Sequence, residues 1–173
     1  VLELLNQLYP DAKAELNFTN PFELLIATIL SAQCTDVQVN KTTAVLFEKY
    51  KTPEDYLHLK EEELGRLIYS CGFYKTKSRN ILETCRILVE EYNSQVPDSI
   101  EDLMKLPGVG RKTANVVVSN AFGLPAIAVD THVFRVSNRI GLANSKTVEE
   151  TEKDLMKNID KDSLYFIFLE ILR

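Results

Sequence analysis

The sequence predicts an all-α protein, on three observations. Apolar residues recur at three- and four-residue spacing along most of the 173 residues, almost nothing alternates with period two, and the six Gly and six Pro stand singly between such segments. Asn20-Pro21-Phe22-Glu23 sets a capping side chain, a first-turn proline and an acid in order. They open a very apolar helix through Leu24, Leu25, Ile26, Ile29 and Leu30, expected at the centre of the core. Asp36 starts a second helix through Val37, Val45, Leu46 and Phe47 that ends near Tyr50, and Thr52-Pro53-Glu54-Asp55 repeats the cap, proline and acid pattern. Ser78 to Tyr92 carries Ile81, Leu82, Cys85, Ile87 and Leu88, and Ser99-Ile100-Glu101-Asp102 caps a short piece that stops at Pro107. The run Val116-Val117-Val118 favours a strand by propensity, but it lies within Lys112 to Phe122 in helical register and is predicted as helix. Asp130 opens a further helix through Arg139.

Composition narrows the function. Twenty Lys plus Arg against 25 Asp plus Glu give a net charge of −5, which excludes a uniformly basic coat for nucleic acid and leaves a local basic face open. Such a face has a place in the chain. Leu103 to Lys146 holds Lys105, Arg111, Lys112, Arg135, Arg139 and Lys146 against Asp130 alone, a net of +5 that leaves −10 for the remainder. The segment either faces phosphate or pairs with the acidic rest of the molecule. Cys34, Cys71 and Cys85 are odd in number and lack C-x-x-C spacing, which argues against a disulfide framework and a zinc site; no metal ligands are predicted. No run approaches the roughly 18 apolar residues of a membrane span, so no membrane partner is expected.

The chemistry concentrates in Leu106-Pro107-Gly108-Val109-Gly110-Arg111-Lys112-Thr113, between two helical segments. Its glycines allow a tight hairpin with positive φ angles, the signal of a helix-hairpin-helix. N–H groups converging at the start of the second helix favour a phosphate, whereas the bland alternative is a Pro-Gly joint between packed helices. Lys112 begins that helix beside Arg111, at the positive end of the helix dipole, where a further positive charge is disfavoured. An uncharged lysine there can attack an electrophilic sugar carbon and form a Schiff base; the alternatives are a solvated helix residue or a phosphate contact. Asp130, within Ala128-Val129-Asp130-Thr131-His132, is the second candidate. It reads as an N-cap, and a fixed capping carboxylate can also stabilise positive charge building on a sugar ring or orient an attacking amine. His132 reads as a structural histidine.

Ser31-Ala32-Gln33-Cys34-Thr35-Asp36, Cys71-Gly72-Phe73-Tyr74, Leu106 to Val117 and Val129-Asp130-Thr131-His132 together resemble the endonuclease III family of the helix-hairpin-helix (HhH-GPD) DNA glycosylase superfamily, over nearly the whole chain. The resemblance implies a bifunctional enzyme of base excision repair. Such an enzyme removes oxidised pyrimidines from duplex DNA, with the base flipped out of the stack, and cleaves the abasic strand by β-elimination. It assigns Lys112 as the Schiff-base nucleophile and Asp130 as the catalytic aspartate. Gln33 would fill the space left by the extruded base and Phe73 would be the apolar wedge; read alone, Gln33 is a helix-end polar residue and Phe73 a core aromatic. Gly108, Val109, Gly110, Arg111 and Thr113 would contact the DNA backbone, with a monovalent cation held by hairpin carbonyls. The family's 4Fe-4S cluster would need cysteines beyond Arg173, and none of the three present matches its quartet.

The expected architecture is a helical domain over residues 20–141, bearing the hairpin motif at 99–122, with residues 1–19 and 142–173 forming a partial second helical domain and the substrate between them. A monomer is expected, acting on damaged or abasic duplex DNA in the cytoplasm, nucleoid-associated if the source is bacterial. Two other readings stay open: a non-catalytic helix-hairpin-helix fragment, and a monofunctional mismatch or adenine glycosylase that releases a base without cutting the strand.

Overall fold

The computed structural model describes Gln7 and residues 15–159, and all its regular structure among them is helical. The chain divides into two compact units: residues 15–117, and residues 118–173 with 1–14. The division falls inside one helix, Arg111–Phe122. Most of the expected segment 1–19, and residues 160–173, lie outside the described residues. Among the described residues no helix is long and apolar enough to cross a membrane.

The first unit is built around α1 (Pro21–Ser31). Leu24, Leu25, Ile26, Ile29 and Leu30 are all buried, as the apolar run predicts, each contributing about 1.5–3 kcal/mol of transfer free energy. The Asn20 side chain accepts the Glu23 N–H, whereas the Glu23 carboxylate reaches back one residue further than a capping box, to the N–H and hydroxyl of Thr19. Around α1 are α2 (Asp36–Lys49), capped by Thr35, and α3 (Pro53–Leu57), where Thr52 and Asp55 form the reciprocal box that the sequence predicts. Then come α4 (Glu61–Leu67), a 3₁₀ turn at Tyr69–Cys71, α5 (Tyr74–Glu91) and the short α6 (Ile100–Leu103). Helix α5 packs against α1, α3 and α4 and is the second spine of the unit. It begins at Tyr74, a full turn before the predicted Ser78, because the break is made by left-handed backbone at Gly72 and Phe73 and not by a cap at Ser78. Helix α4 has no proline or Ser/Thr cap to announce it; the Glu63 carboxylate accepts the Lys60 N–H and so closes its first turn.

Helix α7 (Arg111–Phe122) carries Val116-Val117-Val118 as helix. In the second unit, the buried run Ala126 to Val129 leads to α8 (Thr131–Arg139), which packs against α9 (Val148–Asn158). A polar seam ties the turn between them: Ser145 N–H donates to Asn138 Oδ1 at 2.8 Å, and the hydroxyls of Ser145 and Thr151 meet at 2.5 Å.

Candidate functional site

In the first unit the hairpin is locked from inside by α5. Gly108 takes φ 79°, and a Cβ there would stand 2.9 Å from Asn80 Nδ2. Both facts require glycine. The Thr84 hydroxyl donates to the Pro107 carbonyl at 3.1 Å, and the Val109 N–H closes the turn onto Leu106 O at 3.1 Å. Val109, only 7% exposed, packs inward and helps to hold the hairpin. Gly110 differs. It has no positive φ, contrary to the expectation for both glycines, and a Cβ there would meet nothing within 4 Å. Gly110 is the N-cap of α7, a position that favours glycine over alanine, and the open space around it leaves room for an outside backbone to approach. The Gly110 carbonyl accepts the Ala114 N–H at 2.9 Å and starts α7, so Arg111 and Lys112 stand exposed in its first turn, with Thr113 half-buried. This is the helix N-terminus that favours an anion.

Two further turns bear Gln33 and Phe73. Both residues are exposed and both are left-handed, with φ 52° and 47°. Phe73 is 65% exposed, which rules out the core aromatic. Sequence reasoning missed the residue between these turns. Lys77, on α5 and 5% exposed, donates from Nζ to the carbonyls of Leu30 and Cys71, each at 2.8 Å. The signal lies in the helix period: Lys77 stands in the buried stripe that continues through Ile81, Thr84, Cys85 and Leu88. Burial lowers its amine below the ordinary lysine range, opposed by Cys34 and Cys71. The sequence marks Asp36 only as a helix start. Its carboxyl is pushed above the ordinary aspartate range by burial and by Glu15, and Lys112 is close enough to pull it back down. Thus Lys112 of the hairpin stands near the first residue of α2, three positions after Gln33.

In the second unit, Asp130 caps α8: its Oδ1 accepts the N–H groups of His132 and Val133, each at 2.9 Å. The carboxylate is fixed at the end of a buried apolar approach. His132 Nδ1 lies 3.2 Å from the Arg135 guanidinium.

The HhH-GPD superfamily of base excision DNA repair proteins matches the chain over residues 26–161. Endonuclease III of Bacillus subtilis (strain 168) is 53% identical over 162 residues, covering 93% of this chain and 74% of that protein. The chain belongs to the endonuclease III family. Endonuclease III of Escherichia coli (strain K12) is 52% identical over 157 residues, 91% of this chain and 74% of the relative. Among solved structures, a trapped endonuclease III–DNA covalent intermediate in an estranged-adenine complex superposes with a TM-score of 0.93 at 55% identity, over 99% of this chain and 81% of that one. A thermostable thymine-DNA glycosylase, at 23% identity and a TM-score of 0.84 over 99% of this chain and 82% of that one, shares the fold.

Endonuclease III proteins generally carry a 4Fe-4S cluster, which takes four cysteine thiolates. This chain has three cysteines: Cys71 and Cys85 are buried, Cys34 is half-buried, and burial raises the Cys34 and Cys85 thiols above their ordinary range. Among the described residues no group of three or more His, Cys, Asp and Glu is placed to hold a metal. The donor set present does not fit a cluster.

Proposed function

We propose that Lys112 and Asp130 carry a DNA N-glycosylase and abasic-site lyase reaction on duplex DNA, with oxidised pyrimidines as the bases removed. The chain is a base excision repair enzyme of the endonuclease III family. Lys112 Nζ attacks C1′ of the damaged nucleoside, the bond from C1′ to the base breaks, and the base leaves with a proton. The sugar ring opens to a Schiff base. Loss of a C2′ proton then expels the 3′ phosphate, and water frees the lysine. Asp130, held by two backbone N–H groups, stabilises the positive charge that builds on the sugar.

The observation that carries this reading is Lys112 in the first turn of α7, directly after a turn whose Gly110 leaves open space for an approaching backbone. The N–H groups of Gly108 and Gly110, with Arg111 and Thr113, hold the phosphate, while Val109 keeps the turn closed. A monovalent cation held by hairpin carbonyls suits the same turn, where it would add positive charge facing the strand. Gln33 and Phe73 present exposed side chains suited to entering the stack where the base has left. A monomer at the nucleoid fits this work.

Borohydride trapping on duplexes with thymine glycol or an abasic site tests the assignment. A covalent adduct is expected from the wild type and none from Lys112→Ala; an adduct surviving that change moves the nucleophile elsewhere. Asp130→Asn is expected to slow base release by about 10²–10⁴-fold, and unchanged release would reduce Asp130 to a cap. Base release without strand scission would mark a monofunctional glycosylase. Equal affinity for damaged and intact duplex with neither reaction would mark a binding module. Affinity should fall steeply between about 50 and 200 mM salt.

A further inference from the structure

Two left-handed turns with exposed side chains would ordinarily move independently, since residues 33 and 73 are 40 positions apart in the chain. Their backbones are instead joined through one buried cation. Lys77 Nζ reaches Leu30 O at the end of α1, three residues before Gln33, and Cys71 O, two residues before Phe73. Polar contacts brace the same place from α2: Gln38 Nε2 donates to Ser70 Oγ at 3.0 Å, and the Cys71 thiol lies 3.4 Å from Thr42 Oγ1. Thr42 and Ser70 hydroxyls meet at 3.1 Å. The Cys34 thiol also meets Cys71 across the two turns, but among these groups Lys77 alone is charged and holds a backbone carbonyl on each side. An ammonium so nearly excluded from water is costly to hold. Leucine or methionine would fill the stripe of α5 without that cost, so packing does not account for a lysine at 77.

We propose that Lys77 is a positioning residue that sets the Gln33 and Phe73 turns as one two-pronged probe, so that the two side chains enter the DNA stack together at the nucleotide being extruded. The inference rests on the glycosylase reading above and adds to it a division of labour. Lys77 acts before the chemistry, on extrusion of a base that is still stacked. It does not act on the bond changes at C1′. An abasic nucleotide has no base to unstack, and its extrusion needs the probe far less.

The test compares Lys77→Met with wild type in single-turnover experiments on two duplexes, one containing thymine glycol and one containing an abasic site. Base release is expected to fall about tenfold or more. Borohydride trapping on the abasic duplex should stay within about threefold of wild type. Fluorescence of 2-aminopurine placed opposite the lesion, which reports entry into the stack, should fall with base release. Phe73→Ala should lose base release by a similar factor, and the double variant should be no slower than the slower single one, because both remove the same act. Equal losses on the two duplexes, or losses that multiply in the double variant, would overturn the proposal. Absence of any adduct from wild type would instead overturn the glycosylase reading, so the two failures are distinct.

Should Lys77→Met melt as an unfolded protein, the coupling is read in Phe73→Ala, whose altered side chain is exposed. Bound to a duplex carrying an uncleavable abasic analogue, wild type should protect the backbone amides around residues 31–35 from hydrogen exchange. Phe73→Ala should lose part of that protection although it is made across the tether. Unchanged protection would show that the turns are independent and sink the idea.

Discussion

The hairpin at residues 106–113 and the turns at Gln33 and Phe73 all use left-handed backbone, but they fill it differently. In the hairpin the position belongs to Gly108, at φ 79°, where a glycine bears no steric penalty. In the other turns it belongs to Gln33 and Phe73, at φ 52° and 47°, where a Cβ costs about 1 kcal/mol or more at each. A turn that presents its backbone can discard the side chain. One that presents a side chain must accept the strain, and something else must hold it. For the hairpin, the support is α5 through Asn80 and Thr84; for the paired turns, it is α5 again, through Lys77. A single helix thus positions both the phosphate grip and the probe.

The largest expected effect on the hairpin side is Gly108→Ala. The new Cβ would take a left-handed φ and press on Asn80, so the protein should lose about 1–3 kcal/mol of stability, read in a denaturant melt, and with it DNA affinity. Gly110→Ala separates grip from fold. Open space around that Cβ predicts a stability change below about 1 kcal/mol, the scale of a helix cap. DNA affinity, measured by anisotropy on an uncleavable abasic duplex, should weaken about tenfold, roughly 1.4 kcal/mol. If both glycine variants lose stability and affinity in proportion, Gly110 is another structural glycine and the contrast between the two positions disappears.

The probe side inverts that pattern. Phe73→Gly and Gln33→Gly remove strain together with the side chain, so stability should hold or rise by up to about 1 kcal/mol while base release slows. A clear loss of stability in either would mean that the side chain serves the fold, and that the left-handed turn carries no functional meaning.

This contrast also explains what was legible in the sequence. Helix starts marked by a side chain close to the first turn could be read directly: Asn20, Thr52, Ser99 and Asp130 all cap as the spacing predicts. The hairpin was legible because Gly108 records a backbone demand. The turns at 33 and 73 carry no such mark, since Gln and Phe are ordinary residues whose positive φ is imposed by contacts distant in sequence. Resemblance to a family pointed to them; periodicity did not. Lys77 is hidden in the sequence because Ser78, the residue that reads as the start of α5, lies one position past it. Only after the helix is extended to Tyr74 does a charged residue appear in the apolar stripe. Asp36 was legible as a helix start, while its closeness to Lys112 depends on a fold that brings residues 76 positions apart together.

Asp36 provides the smallest and most local prediction, at the place where the two regions approach each other. Burial, with Glu15, raises its carboxyl above the ordinary aspartate range, and Lys112 offsets that only in part. An acid whose pKa is higher folded than unfolded binds more protons in the native state. Stability therefore drops as pH climbs from the unfolded value of about 3.9 through the folded one, and the penalty is complete above both. Asp36→Asn removes the penalty. Wild type and variant should melt together near pH 3.5, and the variant should melt higher by pH 7, with the gap opening between those values. A gap of constant size would show that the difference comes from packing at the start of α2. A gap of the opposite sign would mean that attraction to Lys112 outweighs burial, and that Asp36 anchors the hairpin lysine through charge.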